Sequence, residues 1–187
     1  MKMIRVHEFG DSEVLLYEDA SEPTPQANEI VIQVEAVGVN PVDTYIRAGM
    51  FGTRTMPYTP GTDAAGIVYA VGNEIKKFQK GDRVYTSGSV SGTYTEYAVC
   101  LESQVHLLPG TVTDAAGACL GVPYGTAYRA LFQMANAQAG ESVLIHGATG
   151  GVGLAAVQFA RQCGLTIIGS GGTQKGRALA FAQVAVT

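Results

Sequence analysis

The stretch His146-Gly147-Ala148-Thr149-Gly150-Gly151-Val152-Gly153-Leu154 constrains this chain more than any other. It follows Ser142-Val143-Leu144-Ile145, a short apolar run without polar alternation, and opens an Ala-rich stretch from Gly153 to Gly164. Leu165-Thr166-Ile167-Ile168-Gly169 is a second apolar run. Short strands that do not alternate suit a parallel sheet, whose two faces are both covered. The order predicts strand, glycine turn, helix and strand, the opening unit of a doubly wound sheet. Set against G-x-G-x-x-G, the turn supplies Ala148, Gly150 and Gly153, with alanine in the first place. Gly150 lets the backbone approach a pyrophosphate and Gly153 lets the helix pack close to the strand. The helix N-terminus adds free N–H groups and a positive dipole. A glycine motif alone is weak, but this one sits between a strand and a helix in a unit of about 30 residues. The competing reading is a glycine-rich packing turn with no ligand.

Dinucleotide sites for NAD carry an acidic residue about 20 positions on, to hold the ribose 2′-hydroxyl. Here that place reads Gly169-Ser170-Gly171-Gly172-Thr173, with Lys175 and Arg177 beyond. No carboxylate would repel a 2′-phosphate, and two cations are available to attract it. NADP is expected over NAD; otherwise the two cations are ordinary helix-surface charges.

Upstream, the texture is different. Glu29–Val37 is β-branched between Asn28 and Gly38, Ala65–Gly72 is a second strand, Gly81-Asp82-Arg83-Val84-Tyr85 begins a third, and Tyr94–Val99 alternates as a fourth. Short strands broken by Gly and Pro predict a small β-barrel or sandwich. Val42–Ala48 adds a helical turn. Thr113 or Asp114 can cap an Ala-rich helix, and 125–136 has Ala127, Leu131, Met134 and Ala135 at helical spacing. The change of regime falls between 113 and 125, so the expected division is 1–120 and 121–187.

With 12 Lys and Arg against 16 Asp and Glu, the net charge is −4. Hydrophobic residues at 47% and charged ones at only 15% exclude a disordered chain. The acidic balance argues against a dedicated nucleic-acid binder. Cys100, Cys119 and Cys163 are odd in number and lack C-x-x-C spacing, which predicts idle thiols in a reducing compartment. Charge enters before any apolar run can form at the start, and no stretch of 18 apolar residues follows. A cytoplasmic protein without membrane spans is the expectation.

The segments Gly38-Val39-Asn40-Pro41-Val42-Asp43-Thr44-Tyr45-Ile46-Arg47-Ala48-Gly49, Pro57-Tyr58-Thr59-Pro60-Gly61-Thr62-Asp63, Gly81-Asp82-Arg83-Val84 and Pro123-Tyr124-Gly125-Thr126-Ala127-Tyr128-Arg129-Ala130 join the 146–154 loop in a specific pattern. Together they resemble the quinone oxidoreductases of the zeta-crystallin type, in the medium-chain dehydrogenase/reductase superfamily. The resemblance implies an α/β protein, a GroES-like β-barrel domain followed by a Rossmann domain. It further implies NADPH-dependent hydride transfer to a quinone or related enone.

Zinc-using relatives hold a metal through Cys, His and Cys. By the matching motifs, those places are taken here by Asn40, Thr62 and Val122. None is a zinc ligand, so no zinc is expected, and a substrate that carries its own electron sink fits better than an alcohol. His7, His106 and His146 show no ligand spacing. Carried over residue by residue, Tyr45 resembles the tyrosine lining the nicotinamide and substrate cleft, and Asn40 and Thr126 fall beside the nicotinamide. Thr149, Gly150, Gly151 and Val152 match the pyrophosphate loop, and Gly172 and Lys175 the adenosine-phosphate side. Asn40 and Tyr45 are thus the candidate catalytic residues, with Tyr45 a positioning group and potential donor. Its bland alternative is a core aromatic tied by a hydrogen bond. Enoyl-thioester reductases carry a catalytic tyrosine just after the glycine matched by Gly49, where this chain has Met50-Phe51.

A complete six-stranded Rossmann sheet takes on the order of 150 residues, and the chain offers 46 from residue 142 onward (187 − 141). The expectation is therefore an incomplete Rossmann domain on a truncated member, ending in one more helix over 176–187. Full-length relatives are expected to be homo-oligomers. The alternative to an impaired enzyme is a non-catalytic isoform that binds or regulates full-length subunits. Because the family includes lens crystallins and reported RNA binders, the resemblance also leaves a structural or RNA-associated role open.

Overall fold

The structure is a computed structural model that describes residues 1–51 and 54–183. The chain divides into two compact units, Met1–Gly121 and Val122–Thr187.

In the first unit, β1 (Lys2–Arg5) pairs antiparallel with β2 (Leu16–Asp19). The main sheet contains β3 (Glu29–Gly38), β4 (Asp63–Val71), β5 (Arg83–Thr86), β6 (Tyr97–Leu101) and β7 (Val105–Leu107). All neighbours are antiparallel, in the order β6-β3-β4-β5-β7. Two register shifts along β3–β4 mark bulges, between Val31 and Ile32 and between Val34 and Ala36. Each leaves one residue unpaired and bends the sheet. Ile30, Ile32, Val68, Val84, Cys100 and Val105 fill the inside of the bend. Full burial of an aliphatic side chain is worth about 1.5–3 kcal/mol, so this cluster secures the sheet.

Between β3 and β4 lies α1 (Pro41–Arg47). Pro41 suits its first turn, where no N–H is needed, and the Asp43 carboxylate accepts from the Asn40 N–H at 2.8 Å. The short α2 (Asp114–Gly117) is capped by Thr113, whose Oγ1 accepts from Ala116 N at 3.2 Å. It packs on Ala65 and Leu108 through Ala118, and Gly38 passes so close to the Ala118 carbonyl that a Cβ would collide with it.

In the second unit, α3 (Gly121–Tyr128) runs into a wider π-helical stretch over Arg129–Met134. The expected helix thus begins four residues earlier than position 125, since Pro123 is tolerated in a first turn. Then follow β8 (Ser142–Ile145), α4 (Gly151–Gln162), β9 (Thr166–Gly169) and α5 (Gln174–Ala182). β8 and β9 are parallel, with Leu144 opposite Ile168. Ala155, Ala156, Val157 and Ala160 of α4 face Ile145 and Leu165 in one core. α5 begins before the expected residue 176 because Thr173 caps it, its Oγ1 accepting from Gly176 N at 3.1 Å. The remainder of that expectation, 184–187, lies outside the described residues.

Candidate functional site

The glycine loop joins β8 to α4 directly. Gly147 takes φ +66°, a left-handed conformation that favours glycine, so the turn is made there and not at Ala148. At Gly153 a Cβ would run into the carbonyl of Gly147, which is the close helix-to-turn contact expected of that glycine. Gly150 is different. It is the N-cap of α4 with no side-chain cap, and the nearest atom to a Cβ there is Gly147 O at 3.6 Å. The first N–H groups of α4, from Gly151 and Val152, have no intrahelical acceptor. Together with Thr149, these are backbone donors at a helix N-terminus, a kind of place that suits an anion.

Sequence reasoning passed over the residue that holds this loop. Ser170, just after β9, accepts at Oγ from Gly147 N at 3.3 Å and at its carbonyl from Ala148 N at 2.9 Å. Its Oγ also lies 3.2 Å from His146 Nδ1. Thr149 points its methyl at Gly171 and Gly176, where a Cβ would collide or be crowded. The glycine turn and the β9–α5 turn are thus one packed assembly. Gly172 is exposed with nothing near its Cβ direction. Lys175 is exposed in the first turn of α5 and has no partner among the described residues. Arg177 is committed instead, donating to the Gly171 carbonyl at 2.8 Å. Of the two expected cations, Lys175 is the one available. Thr126 is exposed on α3.

In the first unit, Asn40 is 7% exposed. Its Nδ2 donates to Asp63 Oδ2 at 2.9 Å, and Asp63 at the start of β4 is wholly buried. Asp43, one turn into α1, accepts from the Asn40 N–H and from the Tyr94 hydroxyl at 3.1 Å. Burial pushes the Tyr94 hydroxyl far above the usual tyrosine range, and the neighbouring Asp43 charge adds to this. Neither Asp63 nor Tyr94 was singled out by sequence reasoning. Asp63 sits beside Thr62 in the motif and could have been found as the only acid in that motif. Tyr45 lies on the same helix, 46% exposed, its ring 6.3 Å from that of Phe51. The core reading of Tyr45 does not hold, and its ring is open to a ligand.

The Asn40 amide is committed to Asp63 and Thr62 offers a hydroxyl, and both are poor zinc donors. Among the described residues, no group of three or more His, Cys, Asp or Glu is placed to hold a metal. No helix among them is long and apolar enough to cross a membrane.

A curled antiparallel domain followed by strand, glycine turn, helix and parallel strand is the architecture of the medium-chain dehydrogenase/reductase superfamily. Residues 26–110 match the alcohol dehydrogenase GroES-like domain. By sequence the chain is similar to the N-terminal part of several quinone oxidoreductases. It is 53% identical over 179 residues to a quinone oxidoreductase of Lama guanicoe, covering 95% of this chain and 54% of that protein. The Homo sapiens quinone oxidoreductase is 51% identical over 95% of this chain and 54% of its own length. The crystal structure of Escherichia coli quinone oxidoreductase complexed with NADPH superposes with a TM-score of 0.90 at 34% identity, over 99% of this chain and 57% of that one. The chain spans about half the length of the curated relatives it matches, and the Rossmann part is correspondingly incomplete.

Proposed function

We propose that this chain is the N-terminal part of a zinc-independent, NADPH-dependent quinone reductase, a cytoplasmic enzyme whose substrate is a quinone or related enone. The observation that carries this reading is the uncapped α4 N-terminus at Gly150, Gly151 and Val152, with Lys175 exposed and without a partner among the described residues. NADPH, when bound, supplies the hydride. The α4 N–H groups and Thr149 hold its pyrophosphate, while Lys175 beside Gly172 attracts the 2′-phosphate.

Asn40 and Tyr45 serve the substrate end, and Thr126 is assigned to the nicotinamide side. The Asn40 Nδ2 is tied to Asp63, which fixes the orientation of the amide. Tyr45 offers an exposed hydroxyl and ring to orient a planar substrate. No step needs a Lewis acid, because the reduced quinone ring delocalises its own charge. Residues 1–120 form the substrate domain and 121–187 the start of the nucleotide domain.

These 187 residues alone supply one βαβ unit of the nucleotide site. Misplacing a reacting group by about 1 Å already costs about 100-fold in rate. The isolated chain is therefore expected to reduce phenanthrenequinone with NADPH far more slowly than roughly 1 per second. Joined to the C-terminal half of the Lama guanicoe relative, it is expected to turn over at ordinary enzyme rates without zinc and to lose activity on Gly150→Asp. A folded chimera with no NADPH-dependent turnover, or one whose activity needs stoichiometric zinc, contradicts the reading.

A further inference from the structure

The N–H donors at the start of α4 are only as well placed as the turn that precedes them, and that turn is rich in glycine. Gly147, Gly150, Gly151 and Gly153 fall within seven residues. Glycine has the widest choice of backbone conformations, so such a segment loses the most freedom when it is fixed. A ligand that must order its own loop gives up part of its affinity, whereas a loop already held in place avoids that cost.

The group that holds this loop comes from outside it. Ser170, directly after β9, meets four consecutive residues of the β8–α4 connection. Its N–H donates to the Ile145 carbonyl at 3.0 Å, and its own carbonyl accepts from Ala148 N at 2.9 Å. Its Oγ accepts from Gly147 N at 3.3 Å and lies 3.2 Å from His146 Nδ1. The Gly147 carbonyl in turn accepts from the Gly150 N–H at 3.1 Å, and Gly150 is the N-cap of α4. One hydroxyl is thus linked through Gly147 to the residue where the helix starts. Gly147 is also the left-handed residue of the turn, at φ +66°. The two main-chain bonds of Ser170 would survive a change of side chain, but the hold on Gly147 N would not. Ser170 is exposed, so its hydroxyl fills no core.

We infer that Ser170 is a positioning residue for the dinucleotide, whose hydroxyl sets the Gly147 turn and through it the first N–H groups of α4. The inference rests on the nucleotide reading above and adds a division of labour to it. Ser170 serves the pyrophosphate, which NADH and NADPH share, whereas Lys175 serves the 2′-phosphate alone.

Fluorescence titrations of the full chain with NADH and NADPH, run on wild type, Ser170→Ala and Ser170→Thr, test this together with melting curves. Ser170→Ala is expected to weaken both dinucleotides by the same factor, about tenfold, and so to leave their affinity ratio unchanged. Its melting temperature is expected to stay within about 5 °C of wild type. Ser170→Thr keeps a hydroxyl on the same carbon and is expected to restore most of the lost affinity. A purely structural serine would lower the melting temperature and leave affinity measured well below the melt untouched. Wild-type affinity for both dinucleotides in Ser170→Ala, a loss confined to NADPH, a threonine variant as weak as the alanine one, or a Ser170→Ala chain that fails to fold overturns the positioning role while the nucleotide reading stands. A wild-type chain that binds neither dinucleotide overturns both.

Discussion

The side-chain amide of Asn40 donates a 2.9 Å hydrogen bond to Oδ2 of Asp63, a carboxylate with no exposure to solvent. The bond fixes the orientation of the amide and ties the cap of α1 to the first residue of β4. Replacing Asn40 by Asp sets two carboxylates at hydrogen-bond distance in a buried place, where both cannot ionise at ordinary pH. Asn40→Asp is expected to lose about 2–4 kcal/mol of stability at pH 8 and to recover most of it near pH 5, when the pair shares a proton. Urea unfolding at the two pH values measures this. A loss that is equal at both contradicts the contact.

Gly150 and Gly153 do different work three residues apart. At Gly153 a Cβ meets the Gly147 carbonyl, so Gly153→Ala is expected to cost about 1–3 kcal/mol. At Gly150 the same methyl has 3.6 Å to its nearest neighbour and φ is −86°, so Gly150→Ala is expected to leave the melting temperature within a few degrees while weakening NADPH binding. Melting curves and a cofactor titration on both variants separate the roles. Equal destabilisation by the two substitutions would refute the division.

The three thiols should react in two classes. Cys119 and Cys163 are exposed, whereas Cys100 is buried in the main sheet and burial pushes its thiol up to about 12. Because the thiolate is the reactive form, a disulfide reagent at pH 8 is expected to label two thiols quickly and the third only on unfolding. Three fast thiols would show that the sheet core is open.

Tyr94 makes stability depend on pH at the alkaline end. Its ionisation is raised in the folded chain above the value of 10.0 for a free tyrosine. The resulting stability is fully present below pH 10 and is lost as the pH rises beyond it. Tyr94→Phe, which removes the bond to Asp43, is expected to cost about 1–3 kcal/mol at pH 7, and the gap to wild type should narrow by about pH 11. A gap that stays constant or widens contradicts this assignment.

The elements that sequence patterning showed best are those with unbroken chemistry. β3 and β4 are long and β-branched, and β8, α4 and β9 follow from two apolar runs around a glycine turn. β1 (Lys-Met-Ile-Arg) and β2 (Leu-Tyr-Glu-Asp) carry mixed, largely polar text, and their pairing depends on partners far along the chain, such as Thr95 opposite Met3. The expected strand at Tyr94 begins at Tyr97 instead, because Tyr94 N and Thr93 N are both spent on the Pro60 carbonyl. Gly150 and Gly153 are legible because a motif fixes their spacing, and they do fall at the β8–α4 turn. Asp63, Ser170 and Tyr94 act through tertiary hydrogen bonds to residues 23 to 51 positions away, and no local period records such a bond.

On the function proposed above, the loop at 149–152 and Lys175 select a 2′-phosphorylated dinucleotide. Fluorescence titration of the chain with NADPH and NADH, in wild type and in Lys175→Gln, tests it most directly. NADPH is expected to bind more tightly than NADH by about tenfold or more, as a charge-assisted phosphate contact warrants, and Lys175→Gln is expected to remove most of that preference while leaving NADH binding unchanged. NADH binding at least as tightly as NADPH, or an NADPH preference that survives Lys175→Gln intact, would contradict the account.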